Sequence, residues 1–215
     1  MMNRDRLLDK VRWADNVVAR VIGQQAVAYR PSGAGNPLEP AQAYLRIPAA
    51  FTHLGGSFKR PPGYEVGLCT GIYDASYTRP GDYLVVGDRS WFIAAQEAFF
   101  PNLCVESGRL VSFARVQSPS TPGAGSYAGI TAATSVAITG YWPANVAELS
   151  NSGKGAAGLP TDTPTSSWSV LLPPIPSVTL RVSDVMADDM GRTGVVFAAE
   201  LTRLGWRLGV KATTA

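Results

Sequence analysis

The chain has 215 residues, 46% of them hydrophobic and 16% charged, which is enough apolar material for one generous core or two small ones and too much for a disordered chain. Charge falls well below the roughly 25% of an ordinary soluble domain, while 22 glycines and 16 prolines predict many turns and a surface that water alone does not cover. The net charge of +3, from 19 basic and 16 acidic residues, is too small to mark a nucleic-acid-binding face.

No apolar run reaches the ~18 residues of a membrane span. Met1-Met2-Asn3-Arg4-Asp5-Arg6 carries both signs of charge where a secretory signal would be basic and then apolar. The expectation is a soluble protein made in a cytoplasm, with no membrane partner. Cys69 and Cys104 stand in apolar contexts without a CxxC, which favours reduced core thiols over a disulfide or a metal site. The single histidine, His53, excludes a His-rich metal cluster. No GxSxG or papain-like signature accompanies it for nucleophilic catalysis, so no cofactor or enzymatic activity is implied.

From the N-terminus, residues 4–22 place Leu7, Leu8, Val11, Ala14, Val18, Val21 and Ile22 at three- and four-residue spacing, the mark of an amphipathic packing helix. Asn3 suits its N-cap, Gly23 its C′ position, and Asp5, Arg12 and Arg20 its polar side. Short strand-like runs follow at 26–30, 83–86, 91–95, 110–114, 136–139, 170–172, 178–182, 195–201 and 206–210, broken by Gly and Pro, as in barrels or sandwiches. The connection 31–71 is long and reads as a surface excursion or a reach to a neighbour.

A composition shift near residue 117 opens a stretch, 117–135, without charge or periodicity, read as a linker or extended arm. The predicted organisation is therefore mainly β: an N-terminal helix at 1–23, a first small β-barrel or sandwich-like domain at 24–116, the arm, and a second at 136–215. The halves are similar. Gly81-Asp82-Tyr83-Leu84 through Gln96 aligns, with a short gap, against Ser183-Asp184-Val185-Met186 through Glu200; each reads Asp, apolar strand, acidic-Gly turn, apolar strand. Tyr29-Arg30-Pro31 and Tyr141-Trp142-Pro143 are each read as closing a strand upstream. Two copies of one domain follow, with Phe92 and Phe197 expected at equivalent buried positions.

Asp82, Asp88, Asp184, Asp188 and Asp189 are the carboxylates worth testing, and turn chemistry explains them better than a cation or catalysis. Asn151-Ser152-Gly153-Lys154-Gly155 fails as a phosphate loop, because Glu148 stands where its first glycine belongs and Gly155 replaces the Ser or Thr. Between Arg115 and Arg181 the charged residues are Glu148, Lys154 and Asp162. Interface cores lose charge and gain aromatics, so Tyr127, Tyr141, Trp142 and Trp168 in this stretch are candidate subunit-interface residues. Arginines number 15 against 4 lysines, which suits planar pairing at interfaces.

Gly81-Asp82-Tyr83-Leu84, Trp91-Phe92-Ile93-Ala94-Ala95-Gln96 and Pro101-Asn102-Leu103-Cys104-Val105 together resemble a pattern of tailed-bacteriophage head–tail joining (neck) proteins. Gly140-Tyr141-Trp142-Pro143, Leu171-Leu172-Pro173 and Gly191 through Leu208 are similar to the small β-barrel of head-closure and adaptor subunits. The resemblance implies a homo-oligomeric connector ring in the virion neck, assembled in the host bacterial cytoplasm. Its partners would be other copies of itself, a portal or adaptor protein, tail proteins, and packaged double-stranded DNA passing without sequence recognition. On that footing 118–135 is expected to cover an adjacent subunit, and Lys154, between glycines, is the DNA-channel candidate. The competing class is a virion receptor- or carbohydrate-binding accessory module using exposed Trp and Tyr; a hydrolase using His53 or the aspartates lacks supporting spacing.

Overall fold

The computed structural model describes residues 4–53, 67–116, 135–149 and 166–213. The N-terminal periodicity becomes α1, Arg4–Ile22, with Asp5 in its first turn and Arg20 in its last, each favourable to the helix dipole. It ends at Gly23, whose amide donates to the Ala19 carbonyl at 2.8 Å. A Cβ there would lie 2.4 Å from the Ala19 carbonyl oxygen and 2.6 Å from that of Ala49, so only glycine lets the chain turn this tightly into the sheet.

Thirteen strands follow: β1 Gln24–Tyr29, β2 Ala43–His53, β3 Leu68–Ile72, β4 Tyr83–Val86, β5 Arg89–Ala95, β6 Asn102–Ser107, β7 Arg109–Val116, β8 Ser135–Ala137, β9 Trp142–Glu148, β10 Ser167–Leu172, β11 Val185–Asp188, β12 Thr193–Thr202 and β13 Gly205–Ala212. The first six form a closed antiparallel barrel in the order β1-β2-β3-β6-β5-β4. In the second sheet β7-β9-β10-β13-β12-β11 follow the same order, and β11 pairs back onto β7 to close the ring. β8 is an extra strand on the far end of β7. The mainly β, two-unit architecture expected from the sequence is present, and the units repeat one topology.

The repeat extends to register. Tyr29 opposes Tyr83 as Ala114 opposes Val185, and Ala26 opposes Ile47 as Val111 opposes Trp142. Both fifth strands bulge at the same place, between Ile93 and Ala95 in one and between Val196 and Ala198 in the other. Ile93 therefore matches Val196, Phe92 matches Val195, and Phe197 matches the bulged Ala94. This corrects the expected equivalence of Phe92 and Phe197: Phe92 is fully buried, whereas Phe197 is 50% exposed. The true counterpart of Tyr141-Trp142-Pro143 is Arg46-Ile47-Pro48, and Trp142-Pro143 opens β9 instead of closing a strand.

Three further expectations change. The stretch 31–71 contains a 3-10 turn, Pro40–Gln42, and the strands β2 and β3, while 178–182 is not a strand. Because β7 belongs to the second sheet, the chain changes barrel at Gly108 and not at 116–117. Residues 117–134, read as an arm, lie outside the described residues, and Ser135 opens β8.

Alternation along the strands gives barrel 1 two apolar faces. Ala26, Ala28, Ile47, Cys69, Leu84, Trp91, Ile93 and Cys104 fill its interior. Leu68, Tyr83, Phe92, Ala94 and Val105 point outward and join the core of barrel 2. At this seam the Tyr83 hydroxyl donates to the Pro143 carbonyl at 2.7 Å, and its ring meets Trp142 edge-on at 6.2 Å. Trp142 Nε1 donates to Ala34 O at 3.0 Å, and Asn145 Nδ2 to Glu106 O at 2.9 Å. Gly67, at φ +83°, makes room for Asn145, since a Cβ would lie 2.3 Å from its amide nitrogen.

Truncating Phe92 to Ala should cost about 3–5 kcal/mol, and truncating Phe197 less than about 1 kcal/mol. Urea unfolding of the two variants checks this; similar losses from both would reject the register.

Candidate assembly surfaces

Each barrel is locked by an arginine–aspartate pair at the point where its first strand meets its fourth. Asp82, just before β4, is buried and accepts from Arg30 Nη2 at 2.7 Å and Nε at 3.0 Å, from the Tyr44 hydroxyl at 2.7 Å and from the Arg79 amide at 3.0 Å. Asp184, just before β11, accepts from Arg115 Nε at 2.7 Å and Nη2 at 2.9 Å and from the Arg181 amide at 2.7 Å. Both guanidiniums reach a carbonyl five residues before their aspartate, Tyr77 O at 3.2 Å and Thr179 O at 2.8 Å. The residues ahead of the aspartates, Gly81 and Ser183, both have positive φ. The hydrogen bond to Asp82 holds Arg30 above the ordinary arginine value, and the bond to Asp184 does the same for Arg115. Burial, then the bond to Asp82, pushes the Tyr44 phenol up.

The remaining carboxylates singled out are spent on turns. Asp188 accepts from the Met190 and Arg192 amides at 3.0 and 2.8 Å and from Arg192 Nε at 2.7 Å. Burial alone would raise its carboxyl, but the Arg192 guanidinium and these two amides outweigh that and hold it below the usual carboxylate value. Asp189 lies 3.9 Å from Arg109, and Asp88 sits in the exposed β4–β5 turn. Cys69 and Cys104 are free, buried and opposite each other across β3 and β6. Burial pushes the Cys69 thiol up to about 12 and Cys104 well above its ordinary value, leaving both protonated and weakly nucleophilic. His53 ends β2 opposite Cys69. Among the described residues no three His, Cys, Asp or Glu side chains stand together to hold a metal, and no helix is long and apolar enough to cross a membrane.

The aromatic candidates divide. Tyr141 is exposed, but Trp142 and Trp168 are buried within this chain. Trp142 fills the seam, and Trp168 packs inside barrel 2 with the Arg192 guanidinium 4.9 Å from its ring centre. These two are corrected from subunit-interface candidates to core residues, and neither is free to stack on a sugar. Tyr127 and Lys154 lie outside the described residues.

Two surfaces the sequence reading did not single out carry exposed apolar side chains. The first is on α1. The helix lies against β2 and β3 and turns inward Leu8, Val11, Arg12, Asp15, Asn16 and Ala19, of which Ala19 alone is fully buried, with Leu8, Val11, Arg12 and Asp15 facing a cleft shared with Ala75, Thr78, Gln96 and Phe99. Asn16 Nδ2 donates to Asp74 at 3.3 Å, and burial followed by the Asp74 charge raises the Asp15 carboxyl. Of the apolar face expected to pack, Leu8 and Val11 turn inward, whereas Leu7, Ala14, Val18, Val21 and Ile22 are exposed, beside Trp13 and Val17. The helix thus docks by its mixed side, with an apolar ridge outward. The second surface is the outside of β11 and β12, where Val185 and Val195 are half-buried and Phe197 is exposed.

Comparison with protein-family models, with curated proteins and with solved structures found no match.

Replacing Arg115 with Met should destabilise the chain by about 3 kcal/mol, because the buried Asp184 side chain loses its cationic partner. Adding Asp184→Asn should recover part of the loss. Chemical denaturation checks both, and an Arg115→Met chain as stable as the parent would overturn the locking role. The lowered carboxyl of Asp188 contributes stability above its unfolded value near 4, lost as pH falls through the lower folded value. Arg192→Ala should flatten that acid limb in pH-dependent thermal melts.

Proposed function

We propose that the chain is a structural subunit of a bacteriophage head-to-tail connector ring, docking below the portal, helping to retain packaged DNA and joining the tail. The observation that carries an assembly role is α1, docked by its mixed side with Trp13, Val17 and Val21 outward. A monomer in water gains from the opposite orientation, and exposed apolar ridges of this kind mark surfaces that a partner covers. The step from assembly to a neck ring is supported by the Gly81-to-Leu84, Trp91-to-Gln96 and Pro101-to-Val105 resemblance and by the barrel pair.

The charge distribution favours a passage for DNA over a grip on it. Arg30, Arg89, Arg115, Arg192 and Arg207 are all engaged with carboxylates and the net charge is only +3, while strong phosphate contacts would slow release. The reading is tested in phage lacking this chain. Heads are expected to fill but to lose DNA and fail to join tails, with both defects reversed by adding the purified protein. Heads that hold DNA and mature normally without it would overturn the proposal.

A further inference from the structure

The duplicated barrels allow one surface to be compared with its own copy. In barrel 1, Tyr83, Phe92, Ala94 and Val105 form an outward wall covered by barrel 2. By the register of the repeat, the same wall in barrel 2 is Val185, Val195, Phe197 and Lys211, and among the described residues no element packs over Phe197 and Lys211, which are exposed. Phe197 is held in place there. Its ring lies over Gly209, where a Cβ would come within 2.5 Å of it. An exposed phenylalanine seated on a glycine is a rigid apolar knob, ready for burial without much ordering cost.

The repeat also relates α1 to the barrels. The outside of β9 is covered by the β6 side of barrel 1, and the outside of β2, its counterpart, is covered by α1. The series α1, barrel 1, barrel 2 therefore uses one relation twice. It leaves the outer ridge of α1 uncovered at its start and the barrel-2 wall uncovered at its end. Both patches also carry charge, and that of the ridge is mixed, since Arg6 and Lys10 are exposed on the same face as Asp9. Lys211 is exposed where barrel 1 has buried Val105, and Asp9 heads the ridge that continues, four residues at a time, through Trp13, Val17 and Val21.

We infer that the occupant of the barrel-2 wall is a second copy of this chain, which seats its α1 ridge on Val185, Val195 and Phe197 and brings Asp9 toward Lys211. The contact joins two different patches, so it is head-to-tail and closes into a ring or continues as an open array. It rests on the assembly-subunit reading and names the contact that reading requires.

Trp13→Glu and Phe197→Glu change exposed side chains, and circular dichroism with thermal melts verifies that both variants fold. By sedimentation velocity, the parent associates with rising concentration, and each variant alone is weakened by roughly 30-fold or more. Mixed one to one, the two variants form a heterodimer and nothing larger, because each keeps the patch the other has lost. Lys211→Asp likewise weakens association, and Asp9→Lys in the same chain restores it. Variants that assemble like the parent, a mixture that stays monomeric, or Phe197→Glu that dimerises alone through α1 would each overturn the contact. If the parent assembles and all the variants do too, this contact fails while the ring reading stands. A parent that stays monomeric at every concentration overturns the contact, and one that also fails to join heads to tails takes the ring reading with it.

Discussion

The rest of the structure depends on a buried carboxylate at the mouth of each barrel. The ladders that close the rings are short, three residue pairs between β1 and β4 and four between β7 and β11. An opened ring would expose two strand edges. Asp82 with Arg30, and Asp184 with Arg115, tie the first strand to the fourth where the ladder ends. The residue after each aspartate begins the outward wall: Tyr83 in barrel 1, Val185 in barrel 2. The same lock that closes a barrel thus fixes the register of the wall beside it, including the reach of the Tyr83 hydroxyl to Pro143. Barrel closure and the register of the wall are coupled through one residue step.

What was legible in the sequence was local. Gly81-Asp82 and Ser183-Asp184 announce their hairpins because positive φ, a turn-capping carboxylate and an apolar strand all fall within a few residues. The hidden parts depend on distant partners. β2 carries Pro48 and three alanines, so neither propensity nor alternation marks it, yet it pairs along most of its length with β1 and β3. The change of barrel passes through Gly108 alone, between β6 and β7, with no shift in composition. The shift at 117 is conspicuous and lies between two strands of the same barrel. Periodicity located the helix, but of the apolar residues it marked only Leu8 and Val11 face the protein, together with Asp15, Asn16 and Ala19.

Trp142 and Phe197 show the same limit at single residues. A tryptophan in a charge-poor stretch fits an interface between chains and an interface between barrels equally well, and composition cannot separate the two. Trp142 serves the second. Phe197 sits next to the small pair Ala198-Ala199 much as Phe92 precedes Ile93-Ala94-Ala95, but in register it stands two positions further on, at the bulged place of Ala94, and on a wall that is exposed where the wall of Phe92 is covered. The bulge is invisible until the partner strand is known.

The two walls diverged in a way that fits different histories of solvation. The wall of barrel 1 meets barrel 2 within the same chain, is never wetted after folding, and holds Tyr83, Phe92 and Val105 with no charge. The wall of barrel 2 keeps a smaller apolar set and an exposed lysine. A surface that must remain soluble before it is covered benefits from such a charge, since an apolar patch of full strength would associate without selectivity. A lysine facing a partner's carboxylate adds little affinity but fixes the register of approach. The outward ridge of α1 likewise mixes apolar and charged residues, Trp13, Val17 and Val21 in line with Asp9 and beside Lys10. The mixed inner side of α1 then has a physical reason under the proposed contact. Tucking the apolar ridge against β2 would stabilise the lone chain and remove the surface proposed to join the next.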